Sequence, residues 1–527
     1  MITSPQILVE FLLDASVAVS VAFFIYGLNM LHLTIRSRRY KEPAAPKGGY
    51  LPTVAIHLPI YNELYVVERL LRACSAVAAR YGKERTGIYV IDDSTDETSR
   101  RIDEMAEALS SEGLRVHVIR RESREGFKAG ALQAALERTE EELIAIFDAD
   151  FIPPADFLLK TVPHLASDAG VGFVQTRWGH VDRGFDSMTK SIALGVDAHF
   201  LIEQKGRASS GYFMNFNGSA GVIRAEAIRK AGGWSSDTLA EDLDASYRMQ
   251  LAGYRGLYLS GVEVPGELPP TILSLKRQQG RWARGSMQTA KKLLPAIGKS
   301  DRLDLGQKAE AAVHLTYYLV HPLMVASFLL AVAAALLNVD VIRYAVGFSV
   351  PSYLAQRGGQ GISVGDSVAF SFQVAPWVVF SILVVLSTLA VLYYCVEAIR
   401  VQNLGLLRNL KEIVILVILG YGVSISNSVQ ALSGLLSGSS GTFMRTPKYA
   451  VTVAGSAWQE KKYQLPLNAT TALEAAAVAV AAIATLAALA TRNFGILPIL
   501  LIYEMGYAFV LGLTLRQAMG STGRADV

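Results

Sequence analysis

Asp148 and Asp150 stand one residue apart at the close of an apolar run, Leu143-Ile144-Ala145-Ile146-Phe147, that reads as a buried strand. Carboxylates that close repel unless a cation or a proton neutralises them. A hard divalent cation bridged to phosphate oxygens would do so; a solvated loop after the strand is the alternative. A second pair, Asp92-Asp93, follows the apolar run 86–91. Lys128, in Gly126-Phe127-Lys128-Ala129-Gly130, reads as part of a turn before a helix. Beside two acidic clusters it can bind a phosphate or balance the acids. Asn217, in Phe216-Asn217-Gly218-Ser219-Ala220-Gly221, occupies a small-residue loop that either lets a ligand approach the backbone or simply turns the chain. Glu241-Asp242 precede a helical stretch. An Asp there commonly caps the helix, but a carboxylate is also a suitable base for an attacking hydroxyl. Gln278-Gln279-Gly280-Arg281-Trp282 is the most pointed group. Arg281 can hold a diphosphate through its fork of donors, and Trp282 offers an apolar face to a sugar ring. The surrounding Lys276, Arg277, Arg284, Lys291 and Lys292 also fit an amphipathic interface helix, and the two roles are compatible.

These groups need a scaffold that gathers them. Segments 54–59, 86–91, 114–119 and 143–147 read as strands, and 63–81, 95–110 and 130–138 as helices. That alternation predicts a doubly wound α/β domain with a parallel sheet. Such sheets bind ligands beyond the carboxyl ends of their strands, where both acidic pairs fall. No Gly-x-Gly-x-x-Gly follows the first strand and no Gly-Lys-Ser/Thr loop appears, so dinucleotide and P-loop readings lose ground.

The 527 residues are 51% hydrophobic and 18% charged, with a mean hydropathy of +0.31. This is too apolar for an ordinary soluble protein and too charged for a wholly embedded one. The charge concentrates in 50–310, which implies one soluble domain set between membrane segments. A net charge of +4 without a basic and aromatic stripe carries no nucleic-acid signature. Cys74 and Cys395 give no disulfide framework. Spans are predicted at 7–35, 313–337, 368–396, 473–490 and 496–515. Arg36, Arg38, Arg39 and Lys41 after the first span place the soluble domain on the inner side. The stretch 413–436 turns polar at Ser424-Ile425-Ser426-Asn427-Ser428, and as a span would carry Arg445, Lys448, Lys461 and Lys462 outside. It therefore reads as an interfacial or re-entrant helix. The resulting division is 1–49, a membrane helix with its basic flank; 50–300, a soluble domain; and 301–527, membrane helices with an in-plane helix at 413–436 and a loop at 441–464.

Taken in order, Asp92-Asp93, Asp148-x-Asp150, Glu241-Asp242 and Gln278-x-x-Arg281-Trp282 resemble a known set. It is the Asp-Asp, Asp-x-Asp, Thr-Glu-Asp and Gln-x-x-Arg-Trp pattern of processive, membrane-integrated family 2 glycosyltransferases, the cellulose and mannan synthases. Phe443-Met444-Arg445-Thr446-Pro447-Lys448 is similar to their gating loop. Tyr61-Asn62-Glu63, Asp92 to Asp96, Phe216-Asn217-Gly218 and Arg445 to Lys448 are shared with plant cellulose-synthase-like proteins that make mannan or the xyloglucan backbone. Ala240 departs from the family's usual Thr or Val, beside the base rather than in it. No segment after Arg516 is long enough for a cyclic-di-GMP-binding domain, so that regulation in cis is not expected.

The resemblance implies a glycosyltransferase-A-like α/β cytoplasmic domain inserted in an α-helical transmembrane bundle. It implies inverting transfer from UDP-glucose or GDP-mannose to a growing β-linked glycan, exported through the protein's own channel. Asp92, Asp93, Lys128, Gln278 and Arg281 would bind the donor, and Asp148 and Asp150 a Mg2+ or Mn2+ ion. Asp242, with Glu241 beside it, would be the catalytic base. Trp282 and Asn217 would hold the acceptor, and Thr446 and Lys448 would belong to the gate. The implied partners are a nucleotide sugar, a glycan and the lipid bilayer, with no nucleic acid. A short N-terminus favours a bacterial inner membrane over the Golgi. Two rivals stand beside this reading: a non-processive enzyme that makes a glycolipid, and a transporter with a soluble regulatory domain.

Overall fold

The computed structural model describes residues 4–339 apart from 45, 47 and 48, then 376–437, 441, 445–450, 467 and 469–522. Its centre is a seven-stranded sheet: β1 Val54–Ile60, β2 Thr86–Asp92, β3 Arg115–Ile119, β4 Leu143–Ile146, β5 Val171–His180, β6 Gly221–Arg224 and β7 Arg255–Gly266. The spatial order is β3-β2-β1-β4-β6-β5-β7. β1 is buried on both faces, as a central parallel strand must be. Val54, Ile56, Leu58 and Ile60 enter one core with the helices Val67–Tyr81, Thr98–Ser111 and Phe157–Ser167. Ala55 enters the other, with Phe127–Arg138, Ala225–Lys230 and Glu241–Leu251. Side chains alternate across a strand, so one apolar run supplies both cores.

The expected parallel pairing holds for β3, β2, β1 and β4. β6 departs from it, running antiparallel to both β4 and β5. At four residues it is too short to show a periodicity, and the helices between β5 and β6 let the chain return from the opposite end. Ile60 pairs with Asp92, so the loops after β1 and β2 leave the sheet together. Lys128 lies in the first turn of a helix, not in a turn before it. Gly126, in the left-handed region at φ 68°, is the helix N-cap and starts the helix at Phe127.

Among the described residues, five helical stretches are long and apolar enough to cross a membrane: Ile7–Ser37, Tyr317–Leu336, Ile382–Val401, Thr470–Ala490 and Leu497–Met519. They make this an integral membrane protein. Ala477, Ala481, Ala484 and Ala488 are buried at helical spacing along Thr470–Ala490, so small residues let neighbouring helices approach closely. The helices Leu410–Gly422 and Ser424–Leu436 are bent by 51° at the point where the sequence turns polar. The polar residues there are buried. Ser424 Oγ meets Tyr507 Oη at 3.2 Å, and Asn427 Nδ2 meets His321 Nε2 at 3.1 Å.

The helix Ile272–Lys299 joins sheet and bundle. A Cβ on Gly280 would lie 3.0 Å from Gln430 Cγ, and one on Gly434 would clash with the Arg284 carbonyl, so a glycine on each helix marks the close approach of Ile272–Lys299 to Ser424–Leu436. Lys276 Nζ reaches Glu474 at 2.6 Å and Thr514 at 3.2 Å, tying the same helix to two candidate spans.

Candidate active site

The carboxyl ends of β1, β2, β4 and β7 open into one pocket. Asp93, Lys128, Asp148, Asp150, Asn217, Glu241, Asp242, Gln278, Arg281, Trp282, Thr446 and Lys448 all line it. Of the residues singled out in the sequence, Asp92 is absent from this lining. Its buried carboxylate accepts from the Ser94 N–H and from Arg120 Nε, each at 3.0 Å, and so fixes the loop rather than facing a ligand. Asp93 does reach the pocket, with both oxygens engaged by the guanidinium of Arg121. Phe443, Met444 and 451–464 of the gating-like loop, Lys461 and Lys462 among them, lie outside the described residues, as does 368–375 of the third expected span.

Asp148 and Asp150 are neutralised separately. Lys128 Nζ lies 2.7 Å from Asp148 Oδ1, 3.5 Å from Glu241 Oε1, and donates to the Gly218 carbonyl at 3.0 Å. Burial alone would lower its pKa. Asp148, Glu241 and Asp242 outweigh burial and hold it above the usual lysine range. Asp150 Oδ2 accepts from Lys448 Nζ at 2.7 Å and from the Glu267 N–H at 3.0 Å. Lys448 also donates to the Glu267 carbonyl at 3.1 Å. Among the described residues no cluster of three or more acidic, His or Cys side chains could by itself enclose a metal ion. The two carboxylates still offer hard oxygen donors, and such a cation takes its remaining ligands from substrate phosphates and water. The donor set fits a divalent cation once the two ammonium groups yield their places.

Asp242 Oδ1 accepts from the Leu243 N–H at 2.8 Å, and its carboxylate faces Gly218. Gly218 has φ 77°, and a Cβ there would lie 2.6 Å from Asp242 Oδ2. Only glycine allows that approach. Burial, then the charge of Glu241, pushes the Asp242 carboxyl up to about 7, with Lys128 pulling the other way. A carboxyl poised there can accept a proton at neutral pH. Asn217 lines the pocket, but its amide is already engaged. Oδ1 accepts from Gln204 at 2.9 Å, Nδ2 meets His199 Nε2 at 3.1 Å, and its N–H donates to Gln175 at 2.8 Å. It anchors the turn that presents Gly218 to Lys128 and Asp242.

Arg445 Nη1 pairs with Glu63 at 2.9 Å. Burial pushes the Glu63 carboxyl up to about 8, opposed by Arg445 and Lys448. The Thr446 hydroxyl is buried without a hydrogen-bond partner among the described residues. Glu267, Trp178 and Arg124 also line the pocket, and sequence reasoning missed them. Glu267 directly follows β7, the strand-end position that marked the other acids. Trp178 donates from Nε1 to the Ser219 carbonyl at 3.3 Å and packs edge-on against Phe151 at 5.1 Å. No local pattern distinguishes it from a core tryptophan. The guanidinium of Arg124 lies 3.3 Å above the centre of the Tyr61 ring.

Residues 55–230 match the family model described as glycosyl transferase family 2, and residues 143–396 match glycosyl transferase family group 2. Among curated proteins, the chain is 37% identical over 283 residues to a probable glucomannan 4-beta-mannosyltransferase 4 of Oryza sativa subsp. japonica, covering 52% of this chain and 50% of the relative. It is 34% identical over 316 residues to glucomannan 4-beta-mannosyltransferase 7 of Arabidopsis thaliana, covering 57% and 56%. The chain thus spans about half the length of the curated relatives it matches. Among solved structures, a mannosyltransferase from Pyrobaculum calidifontis in complex with GDP-Man and Mn2+ superposes with a TM-score of 0.49 at 22% identity, over 73% of this chain and 97% of that one. The two family models run from residue 55 to residue 396, well over half of the chain, and this protein is a family 2 glycosyltransferase resembling the cellulose-synthase-like synthases.

Proposed function

We propose that the chain transfers a hexose, with inversion, from a nucleotide diphosphate sugar to the growing end of a β-linked polysaccharide. The names of its curated relatives favour mannose as the sugar. The observation that carries the reading is the placing of Asp242, its carboxylate facing Gly218 in the same pocket as the paired acids and Gln278, Arg281 and Trp282. The acceptor hydroxyl attacks the anomeric carbon as Asp242 takes its proton. The bond from that carbon to the diphosphate oxygen breaks, and the nucleoside diphosphate leaves. One displacement inverts the configuration and needs no covalent nucleophile. Gln278 and Arg281 donate to the departing diphosphate. Lys128 stays charged and keeps Asp148 and Glu241 from adding to the charge around Asp242. Trp282, with Trp178, stacks acceptor sugars. Asp148 and Asp150 would hold a Mg2+ or Mn2+ ion, which when bound would help neutralise the leaving phosphates. Thr446 and Lys448 would close over the donor.

Export between the helices is supported by buried polar groups beyond the site. Tyr318 Oη donates to Gln279 at 3.1 Å, next to Gln278, and the His321–Asn427 and Ser424–Tyr507 contacts follow. We place the catalytic domain on the cytoplasmic side of the membrane, with 413–436 bent at the inner face, because Arg36, Arg38 and Arg39 flank the first helix. The test is incubation of the purified protein in detergent micelles with Mn2+ and labelled GDP-mannose or UDP-glucose. A long product that a linkage-specific β-hydrolase degrades is expected. A short glycolipid as the sole product would refute polymer synthesis, and unchanged donor would refute the transferase reading.

A further inference from the structure

One charged group in the pocket, Arg124, has no hydrogen-bonded or ion-paired counterpart among the described residues. Arg124 is half-buried, and its Nε is fully buried without a hydrogen-bond partner among the described residues. Its guanidinium lies over the Tyr61 ring at 3.3 Å and within 5.2 Å of the Phe127 ring centre. The nearby Asp93 does not neutralise it, because Arg121 engages both Asp93 oxygens. Stacking on an aromatic face holds a guanidinium flat but leaves its in-plane donors unused. A half-buried fork of donors without an acceptor points to a ligand that brings the acceptors.

Topology says which part of the ligand. The acids expected at the diphosphate follow β4, whereas Arg124 follows β3, the outermost strand on that side of the order β3-β2-β1-β4. In doubly wound sheets a nucleotide lies across such a half, its phosphates at the crevice where the strand order reverses. Arg124 and Tyr61 are therefore at the base end. A planar fork meets two adjacent acceptors best. Guanine presents O6 and N7 side by side, adenine pairs one acceptor with one donor, and O4 of a thymine-type pyrimidine stands as a single acceptor. We infer that Arg124 reads the base of the donor nucleotide and selects guanine over uracil. The inference rests on the nucleotide-sugar reading of the pocket and names the nucleotide which that reading left open.

Titration calorimetry of the purified full-length chain in micelles with Mn2+, using GDP and UDP as probes, tests this. Wild-type protein, Arg124→Gln and Arg124→Lys are compared, with gel filtration and unfolding temperature as controls of folding. Wild-type protein is expected to bind GDP more tightly than UDP by on the order of 10- to 100-fold. Both variants are expected to lose most of that preference while UDP affinity stays unchanged, since lysine keeps the charge but not the fork. An equal loss for both nucleotides would mark a diphosphate contact and overturn the inference. So would an unchanged ratio, or wild-type indifference or preference for UDP, and in each case the transferase reading would stand. If Arg124→Gln fails to fold, Arg124→Lys, which keeps the charge over the Tyr61 ring, decides. Wild-type protein that binds neither nucleotide would overturn the transferase reading and the inference with it.

Discussion

Asp148 and Asp150 are one residue apart, yet their counter-charges come from two different regions of the chain. Lys128 belongs to the sheet domain and stands in the first turn of Phe127–Arg138, where it serves Asp148, Glu241 and the Gly218 carbonyl together. Lys448 comes from residues 445–450, 298 positions away from the Asp150 that it meets. It serves one carboxylate and the Glu267 carbonyl. The inner ammonium is part of the folded core that holds the base, whereas the outer one arrives with a segment from beyond most of the membrane helices. Charge balance at Asp148 is therefore built into the sheet domain, and charge balance at Asp150 depends on the segment that carries Thr446 and Lys448.

The largest effect belongs to the inner cluster. Asp242→Asn is expected to lower kcat about 10²- to 10⁴-fold with donor affinity retained, because only the base is lost; donor binding and turnover measured on one preparation check this. Unchanged turnover would take the base role away from Asp242. Lys128→Met comes next. It strands Asp148 and Glu241 without their shared cation, and leaving two partly buried acids unpaired is expected to cost about 2–4 kcal/mol. Chemical unfolding of the variant should show that loss.

The pH dependence sharpens the same contrast. Asp242 acts as a carboxylate, so kcat/KM should fall about tenfold per unit as pH drops below about 7 and should level off above it. Lys128 pulls the Asp242 pKa down, so a Lys128 variant with residual activity should shift that limb to higher pH. Stability has the opposite sign. A carboxyl raised from 3.8 in the unfolded chain to about 7 in the folded one costs stability as pH rises between those values. Asp242→Asn should therefore unfold at a higher temperature than wild type at pH 8, with no such gain at pH 4. The smallest effect is expected for Lys448→Met, roughly 1–2 kcal/mol in stability, because Asp150 keeps the Glu267 N–H and only one acid loses its cation. Its main readout should be a raised KM for the donor. Equal destabilisation by the two lysine variants would break the comparison.

Much of the site was legible in the sequence where chemistry and local period coincide. The acids at strand ends were readable because an apolar run fixes a strand and its last residue fixes the sheet edge, and Gln278, Arg281 and Trp282 because one helix carries all three. Glu267 follows the same strand-end rule and could have been found. What escaped depends on pairing between distant segments. The reversal of β6, the meeting of Lys448 with Asp150 and the seating of Arg124 on Tyr61 leave no mark in the local pattern of either partner. Asn217 and Asp92 carried the right residue types for ligand contact. Their neighbours, Gln204 and His199 for one and Arg120 and Ser94 for the other, occupy their polar atoms instead.

The central claim is a single displacement with Asp242 as its base, and the configuration of the new bond tests it most directly. Anomeric proton and carbon NMR of the glycan made by the purified protein from an α-configured nucleotide sugar reads that configuration without further assumption. Single displacement predicts β linkages throughout, formed far more slowly by Asp242→Asn. A product with α linkages would contradict it, because retention requires a second displacement that this pocket is not proposed to perform.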